Sequence, residues 1–93
     1  MAMLVKDPGA RIDYEFDWAD ACAVGQVLTE SAWAVAPDEA DGVTIAGSAN
    51  DLLSTVVTLA GGIAGHVYRV TNRVTMSAGQ IEERSMTVRV EER

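Results

Sequence analysis

The chain has 93 residues, of which 48% are hydrophobic and 23% are charged, and its formal net charge is −7. This length allows one small domain over residues 1–93 and leaves little room for a deep catalytic cleft. The acidic balance argues against nucleic-acid binding, which needs a basic patch, and against binding to an anionic membrane surface. The single cysteine excludes an internal disulfide, which fits assembly in a reducing cytoplasm.

The chain begins with a segment that we expect to be an N-terminal arm, residues 1–10. Pro8 and Gly9 interrupt any regular structure at its end. Its apolar stretch is too short for the core of a signal peptide. No run in the chain approaches the ~18 apolar residues of a membrane-spanning helix. We therefore expect a soluble, unprocessed chain.

The strongest local pattern is a strict alternation of apolar and acidic residues over residues 12–18. A period of two predicts a β-strand with one face toward the core and one toward water or a partner. The aromatic residues of the core face are Tyr14, Phe16 and Trp18. The acidic residues of the opposite face are Asp13, Glu15 and Asp17.

Six further strands are predicted downstream, separated by turn signals. They cover residues 26–29, 31–36, 43–46, 53–59, 66–76 and 81–90. The segment 19–25 is compatible with a short helical turn or with a loop. Apolar residues at helical spacing are otherwise scarce. About seven short strands with turns between them are typical of an all-β sandwich.

The segment before the sixth predicted strand refines the fold. A strand end, a glycine-rich corner at 61–65 and then Tyr68 resemble the tyrosine corner of immunoglobulin-like domains. There the tyrosine hydroxyl bonds to backbone a few residues upstream; the alternative is an ordinary β-arc with a core tyrosine. Trp33 takes the place on the third strand where such domains often hold a core tryptophan. The sequence therefore predicts an immunoglobulin-like β-sandwich of about seven antiparallel strands.

Residue types that carry catalysis are scarce. The only cysteine, Cys22, lies among alanines and a valine, which favours a buried inert thiol. The only histidine, His66, lies beside the corner and would need contact with Cys22 to act as its base. One of each cannot hold a metal ion, and the glycine-rich corner lacks the lysine of a phosphate-binding loop. We predict no catalytic, cofactor-binding or metal-binding residue.

The negative charge is concentrated in the first half of the chain. Residues 1–51 carry a net charge of −8, whereas residues 52–93 carry +1. The strand face formed by Asp13, Glu15 and Asp17 is accordingly a candidate partner-binding face. A solvated face, which also protects a sheet edge from aggregation, is the alternative. Arg69 and Arg73 share a face of a later strand. They are candidates to pair with this row of acids if a neighbouring strand or a second copy of the chain presents it.

Three groups of motifs follow one another along the chain. They are Leu4-Val5-Lys6-Asp7-Pro8 with Asp13-Tyr14-x-Phe16-Asp17-Trp18, then Ser31-x-Trp33-x-Val35, then Tyr68-x-Val70-Thr71-Asn72-Arg73-Val74-Thr75 with the Gly79 turn and Glu83-Arg84-Ser85-Met86-Thr87-Val88-Arg89-Val90. In this order they resemble small proteins of tailed bacteriophages described as fiber–tail adaptors. The resemblance covers nearly the whole chain.

The resemblance implies a non-enzymatic structural or adaptor protein of a phage or prophage particle, with an immunoglobulin-like fold. Such a protein would belong to the tail or head–tail region of the virion and would be assembled in the bacterial cytoplasm. Its partners would be other virion proteins, with self-association as a second option, and neither nucleic acid nor membrane. The resemblance brings no catalytic residues.

Two alternatives remain open at this point. A small carbohydrate-binding β-sandwich would expose an aromatic platform, so it requires Trp18 or Trp33 at the surface. A small enzyme requires contact between Cys22 and His66 in a cleft.

Overall fold

The computed structural model describes residues 2–92, and this part of the chain contains seven β-strands and no helix. The strands are β1 (Ala2–Lys6), β2 (Ile12–Asp17), β3 (Leu28–Ala36), β4 (Val43–Asn50), β5 (Ser54–Gly61), β6 (Val67–Met76) and β7 (Ile81–Val90). They form a four-stranded sheet of order β1-β7-β6-β3 and a three-stranded sheet of order β2-β5-β4. The predicted all-β class is confirmed.

The strand order is consistent with the predicted immunoglobulin-like sandwich. Strands β2, β5 and β4 correspond to B, E and D of the immunoglobulin constant-type arrangement, and β3, β6 and β7 correspond to C, F and G. Strand β1 departs from that arrangement because it joins the sheet of β7 and pairs with it in parallel. All other strand pairs are antiparallel, as predicted.

The segment predicted as an N-terminal arm, residues 1–10, contributes β1 at one edge of the larger sheet. The last residue of this strand, Lys6, is 1% exposed. Its ammonium group donates to the carbonyl oxygens of Gly61 at 2.6 Å and Asp7 at 2.9 Å. Burial lowers the pKa of the Lys6 ammonium, and the Asp7 charge opposes this shift. Because lysine side chains are rarely buried, the presence of Lys6 did not predict that β1 joins the sheet.

Two strands are longer than the alternation predicted. The predicted strands 26–29 and 31–36 are a single strand, β3, whose register with β6 shifts between Leu28 and Glu30. Strand β4 likewise continues past residue 46, through a register shift that follows Ile45. An extra residue in one strand breaks the alternation of side chains while pairing continues on both sides of it. The alternation pattern therefore divided β3 into two predicted strands and placed the end of β4 too early.

The core lies between the two sheets and is built from the inward positions of six strands and the residue after β2. Its buried apolar residues are Phe16, Trp18, Leu28, Val43, Val57, Leu59, Tyr68, Val70, Val74, Met76, Met86, Val88 and Val90. The ring of Phe16 contacts both tryptophans. The distance between ring centroids is 5.4 Å to Trp33, in a stacked arrangement, and 6.5 Å to Trp18, in an edge-on arrangement. The predicted inward face of β2 is confirmed, and Trp33 lies on the third strand but is only half-buried.

A fully hydrogen-bonded asparagine lies inside this apolar core. The Oδ1 atom of Asn72 accepts from Thr55 Oγ1 at 2.7 Å and from Trp18 Nε1 at 3.0 Å. Its Nδ2 group donates to Ser31 Oγ at 2.9 Å and to the carbonyl oxygen of Ala32 at 3.0 Å. The side-chain amide thus uses both of its donors and both lone pairs of its oxygen. Because its partners come from both sheets, Asn72 links the two layers and also ties β6 to the edge strand β3 of the larger sheet.

The corner before β6 has the geometry of a tyrosine corner. The hydroxyl oxygen of Tyr68 accepts from the backbone N–H of Ile63 at 3.2 Å, five residues upstream. The same hydroxyl donates to Glu39 Oε1 at 2.6 Å, and His66 Nδ1 lies 2.8 Å from that oxygen. The predicted bond from the tyrosine to upstream backbone is therefore confirmed, with a carboxylate added to it.

The glycines of this corner allow two close approaches. Gly61 and Gly62 have φ angles of 73° and 115°, in the region that favours glycine. A Cβ atom on Gly61 would lie 2.7 Å from the carbonyl oxygen of Gly42, and one on Gly62 would lie 2.7 Å from Val90 Cγ2. Glycine at these two positions therefore permits the tight turn that leads into β6.

The carboxylate of Glu39 makes the stability of the corner depend on pH. The hydrogen bond from Tyr68, followed by the contact with His66, holds the pKa of Glu39 below its usual value of 4.5. Its stabilisation is therefore complete above that value and is lost as the pH falls through the lower pKa of the folded state. We expect Glu39→Gln to lower the midpoint of urea unfolding at pH 7, with the gap to wild type closing below pH 4.5. Asp38→Asn, an exposed neighbour in the same loop, is the matched control, and an equal gap at pH 7 and pH 3 would contradict this account.

Candidate functional site

The acidic residues predicted from the sequence lie together on the outer surface of the smaller sheet. Asp13, Glu15 and Asp17 are exposed and alternate with the inward residues of β2. Alternate residues of a strand are roughly 6–7 Å apart, so the three carboxylates form a straight row. We call this row the acidic strip. It follows the edge of the sheet, since β2 pairs only with β5.

Two of the three carboxylates are oriented by local hydrogen bonds. Asp13 Oδ1 accepts from the hydroxyl of Thr58 on β5 at 2.6 Å. Asp17 Oδ1 accepts from the backbone N–H of Ala19 at 2.9 Å, which shapes the turn that leaves the strand. Glu15 faces outward across from Val56 of β5. Within residues 2–92, none of the three acids forms a salt bridge.

The rest of this sheet face is neutral. Beside the acidic strip, β5 presents its outward residues Ser54, Val56 and Thr58. Beyond them, the edge strand β4 presents Gly47 and Ala49. The described chain therefore places three unpaired negative charges along one margin of a face made otherwise of small and uncharged side chains.

The arginines proposed as pairing candidates lie on the opposite side of the sandwich. Arg69 and Arg73 alternate with buried residues of β6 and so point outward from the larger sheet. The nearest acid to Arg73 is Glu83 on the neighbouring strand, with 3.9 Å between nitrogen and oxygen. Pairing of these arginines with the acidic strip within one molecule is therefore excluded, and only a second copy could supply it.

The structure separates the two residues that a cysteine-based enzyme would need together. Cys22 lies in the loop after β2, where its backbone N–H bonds to the carbonyl of Trp18. His66 lies beyond the far end of β5 and contacts Glu39. The eight-residue strand β5 spans roughly 26 Å between these two ends. Among residues 2–92, no three side chains of metal-binding type come together.

The tryptophans do not form an exposed aromatic platform. Trp18 is 1% exposed, and Trp33 is half-buried against Phe16. A carbohydrate-binding surface of stacked aromatic rings therefore has no counterpart here.

No helix in the described part of the chain is long and apolar enough to cross a membrane.

One residue near the acidic strip was not singled out from the sequence. Arg84 of β7 reaches across to the end of β2, where its guanidinium lies 4.2 Å from the centre of the Trp18 ring. The same group donates to the carbonyl oxygen of Asp17 at 2.5 Å. Arg84 and Met86 are two residues apart on β7, so the alternation that places Met86 inward also places Arg84 inward. This alternation is the feature of the sequence that could have identified Arg84. Arg84 fixes the end of the strand that carries the strip.

The exposure of the acidic strip predicts that its charges contribute little to the stability of the isolated domain. The triple variant Asp13→Asn, Glu15→Gln, Asp17→Asn keeps an acceptor oxygen at every position and removes repulsion between like charges. We expect its free energy of unfolding in urea to stay within about 1 kcal/mol of wild type, as for most surface substitutions. A loss of more than about 2 kcal/mol would mean that the acids serve the fold.

Comparison with known proteins identifies the family. A family model described as "Podophage GP4 fiber-tail adaptor protein gp77" matches residues 6–89. No curated protein matches the chain. The matched range begins at the buried Lys6 and ends one residue before the last residue of β7, so it contains the acidic strip, the Asn72 hydrogen bonds and the tyrosine corner. The predicted resemblance is confirmed: the chain belongs to the podophage GP4 fiber-tail adaptor family.

Proposed function

We propose that this adaptor binds another virion protein through its acidic strip and that the partner presents basic side chains to it. Membership of a fiber–tail adaptor family makes the chain a structural component of a phage particle that acts through protein–protein contacts. The observation that supports the strip as a contact surface is its row of three exposed carboxylates without a salt bridge.

The charge distribution favours a basic partner. The chain carries −7 overall, with −8 in residues 1–51. A single-sign row of charges steers an oppositely charged surface toward it and raises the rate of encounter. Arginine or lysine side chains spaced about 7 Å apart would face the three carboxylates in register with the strand. Such a contact weakens as salt concentration rises, because its charges are solvent-exposed.

The position of the strip at a sheet edge favours contact through side chains. Charged residues on an edge strand oppose the addition of a further strand from another chain. The neutral residues of β5 and β4 beside the strip are small, so a partner surface can approach closely. We therefore infer docking of a preformed surface against the side chains of β2.

The remaining properties that we propose follow from the same composition and geometry. The adaptor acts without catalysis and without a cofactor, and it contacts neither nucleic acid nor membrane. It folds and assembles in the bacterial cytoplasm, where a chain with one cysteine needs no disulfide. A second copy, through Arg69 of its larger sheet, is the alternative partner for the strip.

The test is incorporation of the adaptor into particles. The triple variant Asp13→Asn, Glu15→Gln, Asp17→Asn replaces the wild-type chain in the phage that encodes it, and the amount of adaptor per purified particle is measured. We expect a loss of about tenfold, which corresponds to three contacts of roughly 0.5 kcal/mol each. The loss should be larger when particles assemble at low salt.

A variant with the same change in net charge separates the strip from overall charge. Glu30→Gln, Glu82→Gln, Glu92→Gln also removes three exposed acids, all outside the strip. We expect this control to enter particles at the wild-type level. Equal incorporation of both variants and the wild type would contradict the assignment of the strip, and absence of the wild-type chain from particles would contradict the adaptor role itself.

A further inference from the structure

Three loops come together at the end of the sandwich opposite the tyrosine corner. They are the β2–β3 loop (18–27), the β4–β5 turn (51–53) and the β6–β7 turn (77–80). The first two are joined by backbone hydrogen bonds of 2.8 Å from Trp18 to the carbonyl of Leu53 and from Leu28 to that of Leu52. Gln26 joins the first to the third, because its Oε1 accepts from the N–H of residue 78 at 2.8 Å. We call this surface the loop end.

The loop end exposes aliphatic side chains on two of its three loops. Val24 is fully exposed, Leu52 is 63% exposed and Leu53 is 41% exposed. Val24 lies within the loop whose two ends are bonded to the carbonyls of Leu53 and Leu52, so all three residues lie on loops at the same end of the sandwich. Loops of a rigid sandwich are its usual binding positions, and clustered apolar residues on a surface mark contact sites.

The opposite end of the sandwich has a different character. Its loops carry Asp38, Glu39, Asp41 and His66, and two of these side chains are engaged with each other at the corner. The contrast indicates that the apolar tips are a property of one end rather than of loops in general. It also gives the adaptor two chemically distinct surfaces, as a protein that joins two partners requires.

The rim of the loop end is acidic. Asp20 and Asp51 are exposed there, and its three loops, all within the described residues, contain no lysine or arginine, although the guanidinium of Arg84 from β7 lies beside them over Trp18. Asp51 accepts from the backbone N–H of Leu53 at 2.9 Å and from Ser54, and these bonds hold the pKa of Asp51 below its usual value. Two loop ends placed against each other would bring acid against acid, so the charges disfavour a symmetric contact between two copies and favour a basic surface on a different protein.

We infer that the loop end is a second docking surface, which inserts Val24 and Leu52 into an apolar groove with a basic rim on a virion protein other than the adaptor itself. The inference rests on the family's adaptor role but not on the acidic strip. Apolar anchors surrounded by complementary charge are the common arrangement of binding hot spots. The acidic strip and the loop end can then hold two partners at once.

The first test compares two pairs of exposed apolar residues. Val24→Ser with Leu52→Ser is placed in the phage that encodes the chain, and the adaptor and fibre content of purified particles is measured. We expect at least about tenfold less adaptor per particle, or particles that hold adaptor but lack fibres, since loss of apolar anchors weakens docking strongly. The control, Met3→Ser with Val67→Ser, removes two exposed apolar residues from the larger sheet and should have no effect. Wild-type composition of the first variant's particles, or an equal loss with the control, would overturn the inference.

A second test does not depend on a loss of function. A photo-crosslinking residue, Val24→p-benzoylphenylalanine, is introduced and assembled particles are irradiated. We expect one crosslinked product that contains a virion protein other than the adaptor. Crosslinks to a second copy only, or none at all, would overturn the inference. If the wild-type chain is absent from particles, the adaptor role fails independently of this surface.

Discussion

The two sheets of this domain are held in register by a polar group that the core has to satisfy. The side chain of Asn72 has four hydrogen-bonding positions. Each one left without a partner in an apolar interior destabilises the fold by about 1–3 kcal/mol. Its partners are Trp18 and Thr55 on the side of the smaller sheet and Ser31 and Ala32 on β3. Only one relative placement of these elements satisfies all four. Apolar packing alone tolerates sliding and substitution, whereas this set of bonds does not.

The two ends of the sandwich extend this constraint in different directions. At one end the Tyr68 hydroxyl accepts from the backbone N–H of Ile63 and donates to the Glu39 carboxylate, which fixes the corner. There too the buried Lys6 ammonium donates to the carbonyl oxygen of Gly61 and so attaches strand β1. At the other end Arg84 covers Trp18 and fixes the end of β2. None of these polar groups uses a carboxylate of the acidic strip or the side chain of Val24 or Leu52. A small adaptor with one modest core gains from this separation, because the residues that we propose as contacts can change without loss of the fold.

Period-two alternation was enough to predict the inward and outward faces of β2, because its sheet buries one face and exposes the other. It failed where local rules do not apply. Bulges hid the continuity of β3 and β4, and the attachment of β1 depends on a buried lysine that residue type does not suggest. The acidic strip was predicted in full because it is local to one strand. The positions of Asn72 and of the loop end were not, because each depends on residues distant in sequence that only the folded chain brings together.

The most direct test of the central claim, that Asn72 couples the two sheets, is a double-mutant cycle with Thr55. Thr55→Val removes the hydroxyl on β5 with little change in shape, and Asn72→Ala removes its partner on β6, 2.7 Å away. Free energies of unfolding are measured in urea for the wild type, both single variants and the double variant. The structure predicts a coupling energy of at least about 1 kcal/mol between the two positions, whereas additivity within about 0.5 kcal/mol would contradict a link between the sheets at this point.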